Sequence, residues 1–260
     1  MKKKISLLIT SLSIVALAFI IVSFSSEDEK EKYWYTSNDV KGYISIQKED
    51  YIKKDGNSAT KLHTKVDARF EKRPISFSLS TVCEGSKMTN SNKLTFSGLM
   101  DISIKPVNFI GDVLNRDKNN VTLWNFHGDF IENMASDPEA RKFIDSDFNA
   151  IIRMPDQTIP SFNLWAIVPN LPFNREGTFK FNVLDETKLF VKRKQTINYL
   201  GEVKTMIDGK NIMLHKFVHQ GRRMKPTYYW VNNDKVLVQV KLDDKFIFTL
   251  TTKEKALKAS

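Results

Sequence analysis

The sequence predicts a mainly β protein, a bent antiparallel meander sheet or half-barrel with helices plugging its concave face. Three observations carry this expectation. Several runs alternate apolar and polar residues with a period of two, short turn signals separate consecutive runs, and one central stretch is apolar at helical spacing and must be covered.

The first element lies before the sheet. Lys2, Lys3 and Lys4 precede an uncharged run from Ile5 to Phe24, and the acids Glu27, Asp28 and Glu29 follow it. A basic start before an apolar segment is the layout of a secretory signal or an N-terminal membrane anchor. The run is long enough to span a bilayer, which favours an anchor, while Ser23-Phe24-Ser25 offers small residues for cleavage. Residues 1–26 are therefore expected to be a signal peptide or anchor, and 27–260 a single β-rich exported domain. The expected address is the periplasm or cell envelope, with the inner membrane as anchor if residues 5–24 are retained. Cys83 is the sole cysteine, so no intrachain disulfide is available and packing must hold the fold.

The strands follow in order. Ile75, Phe77, Leu79, Thr81 and Cys83 alternate with Ser76, Ser78 and Ser80, and Leu94, Phe96, Gly98, Met100, Ile102 and Ile104 repeat the pattern. Later runs are Phe179-Phe181-Val183, Leu189-Val191-Arg193, Met213-His215-Phe217, Val236-Val238-Val240-Leu242 and Phe246-Phe248-Leu250. Turns at 185–187, 208–210, 232–234 and 243–244 leave connections too short for parallel crossovers, so these runs form an antiparallel meander with one wet face. Between the two groups, Asp137-Pro138-Glu139 has the chemistry of a helix start, followed by Ala140, Phe143, Ile144, Phe148, Ile151 and Ile152 at helical spacing. A second helix is expected from Thr158 to Pro169, apolar nearly all round, and a weaker turn of helix at 108–114.

Pro155-Asp-Gln-Thr-Ile-Pro-Ser-Phe162 in the helical centre, Gly221-Arg-Arg-Met-Lys-Pro-Thr-Tyr-Tyr-Trp-Val231 and the strand after it carry a resemblance. The chain resembles exported bacterial domains of unknown function related to the outer-membrane lipoprotein carrier and receptor proteins. The resemblance covers roughly residues 30–255 and implies a half-barrel plugged by helices, in a family whose carriers bind lipoprotein acyl chains. It transfers no binding residue to this chain.

The residues themselves suggest a ligand site in the same place. A half-barrel that is not filled has an apolar interior. Phe162, Trp165 and Phe173 in the helical stretch and Tyr228 and Trp230 in a late strand are candidates for the wall and lid of such a cavity, with Arg222, Arg223 and Lys225 as a basic rim. The same aromatics are equally the stuff of an ordinary core. With 40 Lys and Arg against 30 Asp and Glu, an exported chain is matched to lipid, lipoprotein or anionic envelope components rather than nucleic acid.

Catalytic chemistry is thinly represented. There is no Gly-x-Ser-x-Gly elbow and no His-Glu-x-x-His helix. His215 and His219 share a strand face about 13 Å apart at roughly 3.3 Å per residue, too far for one metal. His127, Asp129 and Glu132 are expected in a solvated turn around Gly128, and Cys83 as a buried small hydrophobe. The acid pairs Asp145/Asp147 and Asp243/Asp244 suit a helix surface and a turn. No catalytic residue, metal or cofactor is expected. The leading expectation is a binding or carrier protein for an apolar or amphiphilic ligand. A non-catalytic envelope interaction protein with a packed core, or a hydrolase or lyase on envelope polymers, are the alternatives.

Overall fold

A computed structural model describes residues 32–70, 73–84, 88–99, 106–117, 121–130, 148–155, 157–174, 177–222 and 224–260. The expected signal or anchor at 1–26 and the expected helix over 137–147 lie outside these residues. Lys32–Ser260 makes one compact unit.

The unit is a single mixed sheet of fifteen strands that closes almost completely into a barrel-like form. The strands are β1 (Lys32–Thr36), β2 (Lys41–Ile52), β3 (Ser58–Phe70), β4 (Arg73–Glu84), β5 (Asn90–Leu99), β6 (Pro106–Asp117), β7 (Val121–Phe130) and β8 (Phe148–Pro155). The second half comprises β9 (Thr158–Pro160), β10 (Thr178–Asp185), β11 (Phe190–Ile207), β12 (Lys210–Gln220), β13 (Thr227–Val231), β14 (Leu237–Leu242) and β15 (Phe246–Thr251). The spatial order runs from β8 back to β1, passes to β15, and runs back to β9. Pairing is antiparallel throughout except between β9 and β10. The two edges, β8 and β9, are joined by residues 156–157 alone. Three peptide steps reach about 11 Å at most, so this link holds the end of β8 close to the start of β9, and that junction is the seam of the sheet.

From the seam the chain turns inward. Ser161–Asn163 form a 3-10 turn, α1 (Leu164–Ile167) a single α turn, and Val168–Asn170 another 3-10 turn. This decapeptide is the plug. Leu164, Trp165, Ile167 and Val168 are all buried in the main core. Trp165 meets Tyr35 edge-on at 5.0 Å and Phe248 at 6.0 Å, and Phe162 meets Phe77 edge-on at 5.3 Å. The expected second helix is thus real in its central turn but starts as a strand and is broken into three short pieces. Pro160 and Pro169 bracket it, and neither proline has an amide hydrogen with which to extend a helix.

An aromatic ladder carries the core across the first half of the sheet. Phe77 stacks on Phe96 at 5.2 Å, Phe96 on Phe109 at 4.9 Å, and Phe109 meets Phe126 at 5.9 Å. Glycines stand directly across from three of these rings, Gly98 from Phe77, Gly128 from Phe109 and Gly111 from Phe126. A methyl at any of them would collide with the facing aromatic residue. Small residues here let large rings lie over the partner strand, which is why glycine is tolerated inside these strands.

A second, small core sits on the outer face. α2 (Lys253–Lys258), capped by Thr252 Oγ1, lays Ala256 on Trp34 and Tyr43.

Four expectations need correction. Residues 148–152, expected at the end of a helix, are strand β8, where Ile151 is 66% exposed and Ile152 half-buried. The turn of helix at 108–114 is strand β6, held by Phe96 opposite Phe109. The solvated turn around Gly128 is strand β7, with His127 between Ile110 and Asn149. In β14 a bulge opposite Trp230 and Val231 breaks the alternation, so Leu237 and Val240, rather than Val236, Val238 and Val240, face the core. The other runs through 75–83, 94–99 and 179–250 are strands as expected, save that Leu189 belongs to the turn before β11 with φ +47°, and Met100, Ile102 and Ile104 lie outside the described residues.

Because the plug fills the concave side, Trp165→Ala is expected to cost about 3–5 kcal/mol of unfolding free energy, read from urea denaturation of the variant against the wild type. A cost below about 1 kcal/mol would mean that Trp165 packs loosely.

Candidate functional site

The structure divides the expected site. Phe162 and Trp165 share one cluster in the plug, with ring centroids 6.2 Å apart. Phe173 lies beyond the plug, stacked on His215 at 3.6 Å, with Lys235 Nζ 3.3 Å from its ring centre. Tyr228 and Trp230 are not on the plug side at all. In β13 it is Tyr229, opposite Phe217, that joins the core, and this phase turns its neighbours outward. There Lys216 Nζ covers both rings, 4.6 Å from Tyr228 and 5.1 Å from Trp230. The five aromatics therefore do not line one cavity.

The basic rim fares differently. Arg222 lines an open groove with Lys194, Thr196, Gln220, Met224 and Pro226, of about 410 Å³. Lys225 is exposed in the same connection but does not line this groove, and Arg223 lies outside the described residues. A second groove, about 420 Å³, adjoins it through Lys194 and Thr196 and is lined by Gln157, Lys180, Phe181 and Asn182. The first half is polar and cationic. The second is floored by Phe181 and bordered by lysine stems, whose methylenes are apolar.

Local backbone irregularity makes this site. Between the pairs Phe181–Gln195 and Val183–Lys192, β11 carries one extra residue, and Lys194 takes φ +54° with its amide donating to Asn182 Oδ1. The bulge interrupts the β10–β11 ladder and turns Lys194 into the opening. At the floor, His219 Nε2 donates to Gln195 Oε1 at 3.1 Å, and Gln195 donates to the Arg193 carbonyl. Burial, aided by Lys192, pushes the His219 imidazole down to about 4, so it is neutral at physiological pH. Gln157 connects the groove to the seam, since its carbonyl accepts the Asn182 amide and its next residue starts β9 and the plug.

Two polar networks secure the plug. Thr81 Oγ1 donates to Asn163 Oδ1 at 2.9 Å, and Asn163 Nδ2 points at Cys83 Sγ at 3.4 Å. Cys83 is wholly buried, as expected, and burial pushes its thiol up, opposite to the lowered pKa of an activated thiol. On the other side, Ser161 Oγ donates to Glu186 Oε2 at 2.6 Å and the Phe162 amide to Glu186 Oε1 at 3.3 Å. Glu186 is 1% exposed. Burial raises its carboxyl to about 7 despite these donors, and the charge of Asp185 adds to the rise. Sequence reasoning placed Glu186 in a turn, which it occupies, and missed its burial. Nothing in the local pattern marks an acid in a turn as buried, because the group that buries it is the plug, 25 residues away.

His215 and His219 lie on one face of β12 with separate partners. Tyr199 donates to His215 Nδ1 and His215 Nε2 donates to Asn233 Oδ1, which the neutral Nε2–H tautomer satisfies. Ser45-Ile46-Gln47-Lys48 has Ser-x-x-Lys spacing, yet on β2 that offset puts the two side chains on opposite faces, and Lys48 instead pairs with Asp50 at 2.7 Å. Asp243 and Asp244 both take positive φ in the β14–β15 turn, as a turn role requires. Asp145 and Asp147 lie outside the described residues.

No protein-family model matches the chain, and no curated protein matches it in sequence. Among solved structures it is similar to a beta-barrel-like protein of a domain of unknown function, DUF1849, from Brucella abortus. The TM-score is 0.45 and the identity 10%, over 85% of this chain and 94% of that one.

Glu186 makes the plug pH-sensitive with a defined sign. Its folded pKa lies above the unfolded value, so the folded state holds the extra proton and its contribution is lost as pH rises from about 4.5 to 7. Measured by urea unfolding, Glu186→Gln should gain on the wild type across that window, by up to about 3 kcal/mol. A difference that stays constant with pH would show that Glu186 titrates normally.

Proposed function

We propose that the chain works in the cell envelope as a non-catalytic binding protein for an anionic amphiphile, held at the groove beside the seam. The observation that supports this reading is one continuous surface on β10–β12 with a cationic half at Lys194 and Arg222 and an apolar half at Phe181. A charged head on an apolar body matches that division. The basic N-terminus followed by the apolar run at 5–24 supports the address.

The carrier version of this reading, in which a lipoprotein acyl chain enters the barrel, requires the plug to yield its place. Trp165, Leu164 and Val168 occupy the concave side. The groove touches Gln157, at the root of the plug, so a ligand there is positioned to act on that displacement.

The experiment is native mass spectrometry of the full chain, purified in nonionic detergent and offered phosphatidylglycerol. A bound lipid mass is expected for the wild type, with occupancy reduced about tenfold or more in Lys194→Ala/Arg222→Ala, since two charge-assisted contacts are removed. Apo protein throughout, or equal occupancy in the variant, would sink the reading.

A further inference from the structure

A third groove lies on the outer face of the other half of the sheet, about 180 Å³ in volume, and nothing in the reading above uses it. Its geometry follows from strand register. Reading across the strands, Ser45 stands opposite Lys65, Lys65 opposite Ser78, and Ser78 opposite Ser97. One rung along, Lys32 stands opposite Gln47, Gln47 opposite His63, His63 opposite Ser80, and Ser80 opposite Thr95. Two adjacent rungs, about 7 Å apart along the strands and about 4.8 Å between strands, thus carry hydroxyls, ammoniums, an amide and an imidazole. Among the described residues that line this groove none is a carboxylate.

This composition is unusual for a wet sheet face. Outward positions commonly hold long charged side chains of both signs. Here small hydroxyls on β4 and β5 leave the floor low, and that step creates the concavity. The cations gather on one flank. Lys32 lies 4.6 Å from the centre of the Trp34 ring, and burial together with the ammoniums of Lys253 and Lys65 holds its pKa below the usual lysine value. A hydrogen bond with Tyr43 raises the pKa of Lys65, and Asp67, one rung farther out, adds to the rise. Lys32 therefore faces two like charges, an arrangement that a bound anion relieves.

We propose that these two rungs form a binding site for a phosphate- or sulfate-type oxyanion, with Lys32 and Lys65 supplying charge and the hydroxyls of Ser78, Ser80, Thr95 and Ser97 donating hydrogen bonds to its oxygens. Hydroxyls and ammoniums both donate, and a tetrahedral oxyanion presents acceptors in every direction. The volume suits such a group with its first substituent rather than a polymer or an acyl chain. The site is separate from the groove on β10–β12, and it stands or falls independently of the amphiphile reading.

The test is isothermal titration of the full chain in nonionic detergent with inorganic phosphate, at ionic strength fixed by sodium chloride. With the groove on β10–β12 silenced by Lys194→Ala/Arg222→Ala, saturable binding is still expected, and it is weakened about tenfold or more when Lys65→Gln or Ser80→Asp is added. Because Ser80 is half-buried, Ser97→Asp at the exposed end of the first rung repeats the charge reversal where folding is not at stake. Titration with glycerophosphoglycerol separates the sources. Binding of this phosphodiester without binding of inorganic phosphate assigns a lipid headgroup, and the reverse assigns the free anion. No response to either beyond that of chloride, or full affinity retained in both Lys65→Gln and Ser97→Asp, overturns the proposal.

Discussion

The two-residue link between β8 and β9 is the constraint on which the rest of the structure depends. It joins one end of each edge of a fifteen-stranded sheet, so the sheet must curl enough to bring Pro155 and Thr158 within about 11 Å of each other. A curled sheet encloses its inner face, and that face must be filled. The chain supplies the filling immediately, since the ten residues after β9 form the plug. Closure, plug and the groove on β10–β12 therefore share one place in the molecule, with Gln157 common to all three.

The plug is seated by two kinds of contact with different roles. Apolar burial of Leu164, Trp165, Ile167 and Val168 supplies most of the free energy, because each removes a large apolar surface from water. Direction comes from polar pairs that tolerate one arrangement only. Asn163 between Thr81 and Cys83 fixes one side, and Glu186 under Ser161 and Phe162 fixes the other. A plug held by apolar contact alone could rotate among similar packings. Buried hydrogen bonds penalise each alternative by an unsatisfied group.

Much of this was legible in sequence wherever one face of a strand is wet. β4 could be read because Phe77, Leu79 and Thr81 alternate with serines, and β15 because Phe248 is buried beside the exposed Ile247. β2 was not read, because Tyr43 and Ser45 are buried beside Ile44 and Ile46, which erases the alternation. α2 covers Tyr43 from the outside, and no local pattern announces that. β8 imitated a helix because adjacent Ile151 and Ile152 fit helical spacing as well as an edge strand with one exposed isoleucine. The aromatics of β13 show a deeper limit. Alternation separates Tyr229 from Tyr228 and Trp230, but which set faces the core is decided by pairing with Phe217 on β12. Glu186 and the two outer rungs were invisible for the same reason, since both are made by register and tertiary contact.

The excess of positive charge also gains a location. At the Ile52 end of β2 and the start of β5, lysines are matched to acids: Lys48 to Asp50, Lys53 to Glu84 and Lys93 to Asp112. Lys188 and Lys192 both lie near Asp185 on the turn between β10 and β11. The two outer rungs and the groove walls at Lys180, Lys194 and Arg222 contain no carboxylate among their described lining residues. A net charge spread evenly would keep a surface soluble and do little else. Charge set in two concave places whose described lining holds no carboxylate, beside neighbourhoods where lysines pair with acids, raises the local potential where an anion can be surrounded rather than merely approached.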